Sequence, residues 1–306
     1  MKQLMLGNAA VARGLYEAGC SVISSYPGTP STEITEEAAK YSEIYCEWAP
    51  NEKVAMEVAF GACLAGKRSF CAMKHVGLNV AADPLYTMSY TGVNGGMVIG
   101  VADDAGMHSS QNEQDSRHHA IAAKVPMLEP SDSSESLAFA KLAYELSEEF
   151  DTPVLIKMCT RVAHSQSVVE TSPRTEVEMK PYEKNIAKYV MMPGNAKRRH
   201  PIVEERTKKL IAWAETAPIN RVEMGDTKLG IITASTSYQY VKEVFGDSAS
   251  VLKLGMTNPM PVQLIRDFAA KVDKLVVVEE LEPIIENHCK ALGLEVSGKD
   301  VLPMID

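Results

Sequence analysis

The sequence predicts an α/β protein built on parallel sheets. Short apolar runs alternate with longer segments of helical periodicity, and this alternation is typical of βαβ units. The alternation is interrupted once, over residues 171–226, which indicates two α/β units with a different segment between them. The length of 306 residues agrees, since about 150 residues per domain gives about two domains.

The first unit, residues 1–170, carries most of the predicted strands. Their apolar runs are nearly continuous, as expected for strands that are covered by helices on both faces. The predicted strands are 20–25, 44–48, 69–74, 97–102 and 153–158. The predicted helices lie near 8–19, 31–42, 51–65, 77–90 and 132–150, and a capping-box-like segment begins the last of them.

The segment 171–226 differs in composition, because it is rich in Lys, Arg, Glu and Pro and shows no strand pattern. We expect a linker between the two units, with a helix near 201–215. A basic cluster at 197–200 is most simply a solvated surface, although a binding role is an alternative.

The second unit, residues 227–295, returns to βα repeats and predicts a smaller α/β domain. The tail, residues 296–306, has no element long enough to begin a third unit. The predicted strands of the second unit are 229–234, 250–254 and 274–279, and its predicted helices lie near 236–246, 261–271 and 283–292.

Composition excludes several classes of function. Apolar residues make up 45% and charged residues 23% of the chain, which are values of a globular protein. The net charge of −9 argues against nucleic-acid binding and against a polybasic membrane anchor. No signal peptide or run of 18 apolar residues is present. None of the six cysteines forms a C-x-x-C pair, so we expect reduced thiols in a cytoplasmic protein.

The candidate site residues follow the predicted strands, because ligands of open α/β sheets bind outside the carboxyl ends of the strands. After the first strand, two prolines and a glycine in the segment 26–31 make a rigid turn, which is either a simple connection or a backbone shelf for a ligand. After the second strand, Asn51 is a candidate N-cap and Glu52 lies in the first helical turn. By position alone, Glu52 would only stabilise the helix dipole.

Two further polar segments, 74–79 and 103–115, follow the third and fourth strands. The second is so rich in polar residues that we expect it to line solvent or a ligand. Its residues His108, Glu113 and Asp115 match no strong metal-ligand spacing, so no metal site is predicted. Dinucleotide, Walker and nucleophile-elbow motifs are also missing from the sequence.

Taken together, the segments that follow the strands resemble one family. The chain is similar to the N-terminal half of the large subunit of indolepyruvate ferredoxin oxidoreductase, one of the thiamine-diphosphate-dependent 2-oxoacid:ferredoxin oxidoreductases. The resemblance covers nearly the whole sequence. The matching segments are Tyr26–Ser31, Glu47–Trp48, Asn51–Ala55, Met73–Asn79, Asp83–Leu85, Tyr90–Val93, Gly106–Asp115, Lys124–Pro130, Thr160–Ser165 and Val278–Pro283.

The resemblance implies a pyrimidine-binding domain over 1–170 and a transketolase-C-terminal-like domain over 227–295. It also implies that Glu52 hydrogen-bonds the aminopyrimidine ring of thiamine diphosphate, which reverses the interpretation from position alone. The other implied cofactor contacts are Tyr26, Pro27, Gly28, Thr29, His75 and Asn79, and the implied substrate-side residues are His75, His108, Ser109 and Gln111.

The family's large subunit continues into a magnesium-holding diphosphate-binding domain and a ferredoxin-like segment with [4Fe-4S] clusters, and this sequence contains neither. We therefore expect a truncated chain or one half of a split enzyme, with weak or no thiamine diphosphate binding and no turnover on its own. The implied partners are those domains, a small beta subunit, a 2-oxoacid, coenzyme A and ferredoxin, within an oligomer. Another 2-oxoacid substrate (pyruvate, 2-oxoglutarate or a branched acid) and a non-catalytic scaffold are the alternatives.

Overall fold

The computed structural model describes residues 1–301, so the last part of the tail, 302–306, lies outside the described residues. The strands are β1 (Lys2–Leu6), β2 (Val22–Ser25), β3 (Tyr45–Trp48), β4 (Ser69–Lys74), β5 (Met97–Asp103), β6 (Met127–Leu128), β7 (Val154–Cys159), β8 (Gln166–Glu170), β9 (Arg221–Glu223), β10 (Gly230–Ala234), β11 (Ser250–Leu254), β12 (Met256–Asn258) and β13 (Leu275–Val278).

Helices cover both faces of the two larger sheets, and a short 3-10 turn, Lys299–Val301, follows the last helix. The helices are α1 (Gly7–Glu17), α2 (Thr32–Ala38), α3 (Glu52–Leu64), α4 (His75–Val80), α5 (Ala82–Thr91), α6 (Arg117–Ala123), α7 (Ser133–Phe150), α8 (Thr160–His164), α9 (Ile186–Tyr189), α10 (Pro193–Thr216), α11 (Ser237–Phe245), α12 (Val262–Ala269) and α13 (Ile284–Ala291). Within residues 1–301, no helix is both long and apolar enough to span a bilayer.

The larger sheet has seven strands in the order β12–β6–β7–β5–β4–β2–β3, and all its pairs are parallel except β12 with β6. The chain runs from β2 outward to β3 and then returns to β4 on the other side of β2. The switch point of the sheet therefore lies between β2 and β4, where open α/β sheets form a ligand crevice. Neighbouring residues such as Val98 and Ile99 belong to separate hydrophobic clusters, one on each face.

The smaller sheet has the order β13–β10–β11–β9; β13, β10 and β11 are parallel, and the edge strand β9 is antiparallel to β11. Its main core packs Ile232, Leu252, Phe268 and Ile285 together. Here the chain runs from β10 to β11 and returns to β13, so the switch point lies between β10 and β13. This unit confirms the predicted parallel α/β pattern.

Several predicted element boundaries were wrong. The predicted helix 77–90 is two helices that meet at Ala81, and 171–226 contains the strand β9 despite its charged composition. Strand β12, from the second unit, pairs with β6 of the larger sheet. Because backbone pairing joins the two units there, the domain boundaries near 170 and 227 stay a prediction.

Helix α10 also differs from a solvated linker, because it packs against α5 of the first unit. Arg199 is buried and donates from Nε to the Tyr90 carbonyl at 2.6 Å. Arg206 donates to the carbonyl oxygens of Ser89 at 2.9 Å and Asp151 at 3.0 Å. The basic cluster therefore includes one buried arginine that caps the end of α5, whereas Lys197, Arg198 and His200 are exposed, as the interpretation of a solvated surface predicts.

Candidate functional site

Glu52 lies at the carboxyl edge of the larger sheet, in the first turn of α3. The preceding residue, Asn51, has extended backbone angles, and its side chain accepts the Val54 N–H at 3.0 Å, so the helix begins at a fixed position. The Glu52 side chain is half-buried. Among residues 1–301, it forms no hydrogen bond and no ion pair. Its carboxyl group is therefore free to bind a ligand.

Gly77 makes room for that carboxyl group. A Cβ at position 77 would lie 2.6 Å from both Cγ and Oε1 of Glu52, closer than real Cβ contacts. The Glu52 side chain thus rests on the bare backbone of α4. Burial raises the pKa of the neighbouring Cys71 thiol, and the charge of Glu52 raises it further, so Cys71 stays a protonated, inert neighbour.

The loop after β2 lies at the switch point of the sheet. A Cβ on Gly28 would lie 3.0 Å from the Cβ of Lys74, so this loop passes closely over the end of β4. The Gly28 N–H donates to Thr32 Oγ1 at 2.8 Å and its carbonyl accepts the Ser31 hydroxyl at 2.8 Å. This fixed backbone leaves Tyr26, Pro27 and Thr29 exposed at the crevice.

The loop 104–116 is held against the end of β4 by polar contacts. Lys74 Nζ donates to the Ser109 carbonyl at 2.6 Å, and Asn79 Nδ2 donates to Gln114 Oε1 at 2.9 Å. Gln111 is exposed on the same loop. Sequence reasoning did not anticipate the contact of Lys74 with this loop, although Lys74 precedes His75 in the segment 74–79.

His75 is only 1% exposed, and its Nε2 lies 3.3 Å from the Asn112 carbonyl. Burial lowers the pKa of His75, and the Asn112 carbonyl opposes this only in part, so the ring is neutral near pH 7. This contact ties His75 to the loop 104–116. A direct contact of His75 with a cofactor or substrate stays a prediction.

The polar segment 103–115 does not line solvent along its whole length, contrary to our expectation. Asp103, Asp104 and Asp115 are buried. Asp104 accepts hydrogen bonds from the Ser109 N–H at 2.7 Å and from the Thr160 hydroxyl at 2.7 Å. Burial raises the pKa of Asp104, but its hydrogen bonds outweigh burial and hold the pKa below its ordinary value. Asp104 therefore fixes the start of the loop as a carboxylate.

A buried ion network holds the other end of this loop. Arg117 is 2% exposed and bonds to Asp115 at 2.6 Å and to Glu279 at 2.6 Å. It also donates to the carbonyl oxygens of Glu280 and Glu282 at 2.8 Å. The network joins the start of α6 to the segment that follows β13 in the second unit, which sequence reasoning did not anticipate.

A second buried ion pair, between Lys157 and Glu129, extends this network. Lys157 Nζ donates to Glu129 at 3.0 Å, and the Thr257 hydroxyl of β12 donates to the same carboxylate at 2.7 Å. Burial raises the pKa of Asp103 to about 7, and the charge of Lys157 opposes this shift. The two units are therefore held together by buried polar groups that have specific partners.

The structure does not bring all the predicted residues to one place. Tyr26–Thr29, Glu52, His75 and Asn79 surround the ends of β2, β3 and β4, and Ser109 joins them through its carbonyl. His108 is exposed and lines a separate cavity of about 650 Å³. Within the described residues, no group of three or more His, Cys, Asp or Glu could hold a metal ion.

Comparison with known proteins agrees with this architecture. The family described as "Pyruvate flavodoxin/ferredoxin oxidoreductase, thiamine diP-bdg" matches residues 13–219. The indolepyruvate oxidoreductase subunit IorA of Archaeoglobus fulgidus is 43% identical over 97% of this chain and 50% of its own length. The same subunit of Pyrococcus horikoshii is 41% identical over 99% of this chain and 50% of its own length. The chain therefore spans about half the length of these relatives.

Solved structures with low sequence identity share the fold. The 2-oxoglutarate:ferredoxin oxidoreductase from Magnetococcus marinus, with 2-oxoglutarate, coenzyme A and succinyl-CoA bound, superposes with a TM-score of 0.81 at 18% identity. The match covers 97% of this chain and 61% of that one. A split-gene transketolase, an inactive beta4 tetramer, gives a TM-score of 0.56 at 16% identity, over 95% of this chain and 86% of that one.

Proposed function

The chain belongs to the thiamine-diphosphate-binding family of pyruvate flavodoxin/ferredoxin oxidoreductases, and we propose that it supplies the aminopyrimidine side of the cofactor site in an indolepyruvate oxidoreductase. The observation that carries this proposal is the carboxyl group of Glu52, which is held by a capped helix at the sheet edge and has no partner within residues 1–301. A non-catalytic scaffold would not need a carboxyl group without a hydrogen-bond or ion-pair partner at this position.

The residues at this edge fit the aminopyrimidine of thiamine diphosphate. When bound, the cofactor supplies a nucleophilic carbon and an electron sink for the decarboxylation of a 2-oxoacid. Glu52 would hold the aminopyrimidine through a hydrogen bond from its carboxyl group to the ring nitrogen, and the missing side chain at Gly77 leaves room for that carboxyl group. Such positioned acid–base groups contribute about 10²–10⁴-fold to rate.

The remaining residues shape the surroundings of Glu52. The backbone of Tyr26–Thr29 forms a rigid shelf beside the ring, because Gly28 is fixed against Lys74. His75 and Lys74 hold the loop 104–116 in place. Asn79 is proposed to contact the cofactor, and Ser109 and Gln111 are proposed to face the substrate. His108, on the same loop, is proposed to face the substrate, although it also lines the separate cavity of about 650 Å³.

The substrate and partners follow from the named relatives. Indolepyruvate is the proposed 2-oxoacid, coenzyme A the acyl acceptor and ferredoxin the electron acceptor. A diphosphate-binding domain would hold the magnesium ion, and a ferredoxin-like segment would hold the [4Fe-4S] clusters. A small beta subunit is the further proposed partner in an oligomer. The location is proposed to be cytoplasmic, because the six cysteines lie within residues 1–301 as free thiols.

An anaerobic dye-reduction assay tests this proposal. The chain is assembled with the polypeptide that carries the remaining domains, and kcat/KM is compared for indolepyruvate, pyruvate and 2-oxoglutarate. We expect the highest value with indolepyruvate and a loss of about 10²-fold or more in Glu52→Gln. A preference for another 2-oxoacid would contradict the substrate, and equal turnover in both proteins would contradict the role of Glu52.

A further inference from the structure

The cavity of about 650 Å³ lies between the two units and is not lined by Glu52. Of the residues placed in the proposed function, His108 alone lines it. Its volume is within the range of pockets that bind small molecules, which is about 300–1,000 Å³. Two segments contribute much of its wall, one after β7 and the other after β10. The residues used below are Thr160, Arg161 and His164 from the first segment and Thr236, Gln239 and Tyr240 from the second.

The second segment follows β10 at the switch point of the smaller sheet, between β10 and β13. Ligands of open α/β sheets bind at such points. Ser235, at this turn, has a φ of 52°, a left-handed conformation that is uncommon for a residue other than glycine and that occurs preferentially at functional sites. Helix α11 then begins at Ser237, so its first turn, which attracts anions, borders the cavity.

The charges of the cavity wall favour an anion. Arg161 is exposed, and no carboxylate of residues 1–301 lies within 4 Å of its guanidinium group. Asp132 is the acidic residue that lines the cavity. Its side chain caps α7 by accepting the Glu135 N–H at 2.8 Å, so the dipole of that helix offsets its negative charge. His164 Nε2 lies 3.5 Å from Glu33. Arg161 is therefore the cation that remains for a ligand.

The wall also offers hydrogen-bond donors and an aromatic face. Within the described residues, the side chains of Ser165, Gln166 and Thr236 form no hydrogen bond, although they line the cavity. Tyr240 is 41% exposed, and the Arg161 guanidinium lies over its ring, 5.8 Å from the centroid. A phosphate on Arg161 and a planar base on Tyr240 would use both features at once.

We propose that this cavity binds a phosphate-bearing nucleotide. The site lies outside the proposed cofactor crevice, since neither Glu52 nor Gly77 lines it. A free nucleotide as the ligand goes beyond the proposed function, whereas coenzyme A as the ligand rests on it. The same chemistry occurs in a free nucleotide and in the adenosine 3′,5′-bisphosphate end of coenzyme A, and separate titrations with ligands of each kind distinguish these sources.

Isothermal titration calorimetry of the 306-residue chain tests the proposal without any turnover. The ligands are ADP, adenosine 3′,5′-bisphosphate and coenzyme A. We expect saturable binding that weakens about tenfold or more in Arg161→Met, because a charge-assisted hydrogen bond is lost. Arg198→Met, which removes an exposed arginine of α10, is the matched control and should bind like the wild type. Thermal melts verify that each variant is folded.

A second variant separates the two parts of the ligand. Tyr240→Leu should weaken nucleotide binding and leave pyrophosphate binding unchanged, because it removes only the stacking face. Tighter binding of the 3′,5′-bisphosphate and coenzyme A than of ADP would support the site with coenzyme A as its source, and equal binding would support it with a free nucleotide. Absence of binding by all three ligands at millimolar concentration, or wild-type affinity in Arg161→Met, would overturn the proposal.

Discussion

Replacement of Gly77 by alanine tests the contact on which the position of Glu52 depends. The added Cβ would lie 2.6 Å from Cγ and Oε1 of Glu52, whereas ordinary contacts begin at 3.4 Å. The carboxyl group must therefore move by at least about 0.8 Å. Since a displacement of about 1 Å can cost about 10²-fold in rate, we expect kcat of the assembled enzyme to fall by about that factor.

The same substitution should change stability much less. Overpacking costs about 1–3 kcal/mol, but alanine is favoured over glycine in a helix by about 1 kcal/mol, and the Glu52 side chain is able to rotate away. We expect a net loss of about 0–2 kcal/mol in the free energy of unfolding. Urea unfolding of the chain and dye reduction by the assembled enzyme measure the two quantities.

Gly194→Ala is the matched control, because a Cβ at position 194 in α10 would meet no atom within 4 Å. It should keep wild-type turnover and gain up to about 1 kcal/mol in stability. Wild-type turnover in Gly77→Ala would refute the reasoning, since it would show that catalysis does not require Glu52 at this position.

Three further predictions concern the groups around the site. Arg117→Ala should lower the free energy of unfolding, measured by urea titration, by about 3–5 kcal/mol, because it leaves buried carboxylates unpaired. The exposed control Arg198→Ala should change it by less than about 0.5 kcal/mol, and similar losses in both variants would contradict a stabilising role of the Arg117 network. Burial raises the pKa of Asp103 from 3.8 to about 7, so the folded state retains a proton that the unfolded state has lost. Relative to Asp103→Asn, the wild type should therefore lose stability as pH rises from about 4 to about 7, and parallel pH profiles would argue against this shift. Asn51→Ala should cost about 1 kcal/mol in the same measurement, because the Val54 N–H loses its cap, and an unchanged midpoint would show that the cap is not needed.

The sequence was most informative where local pattern decides the structure. Strands such as β5 and β7 are buried on both faces, so their apolar runs identify them without knowledge of their neighbours. The place of Glu52 in the first turn of α3 was also predictable, because Asn51 is an N-cap residue and its cap acts within one turn.

Features that depend on remote partners could not be predicted in this way. Strand β1 pairs with β8 in a partly exposed two-stranded ribbon, with Lys2 opposite Glu170, and its pattern alone is too weak to identify a strand. Arg117 and Glu279 are 162 residues apart, so nothing local distinguishes them from solvated charges. The contact between Glu52 and Gly77 likewise exists only once β3 and β4 flank β2 in the sheet.

The most direct test of the role of Glu52 is the rate at which the C2 proton of bound thiamine diphosphate exchanges with solvent deuterium. Acid-quenched NMR samples of the assembled enzyme give this rate without substrate. We expect Glu52→Gln to slow the exchange by about 10²-fold or more, and Glu57→Gln, an exposed residue on the same helix, to keep the wild-type rate. Equal exchange in Glu52→Gln and the wild type, at equal cofactor occupancy, would contradict the account.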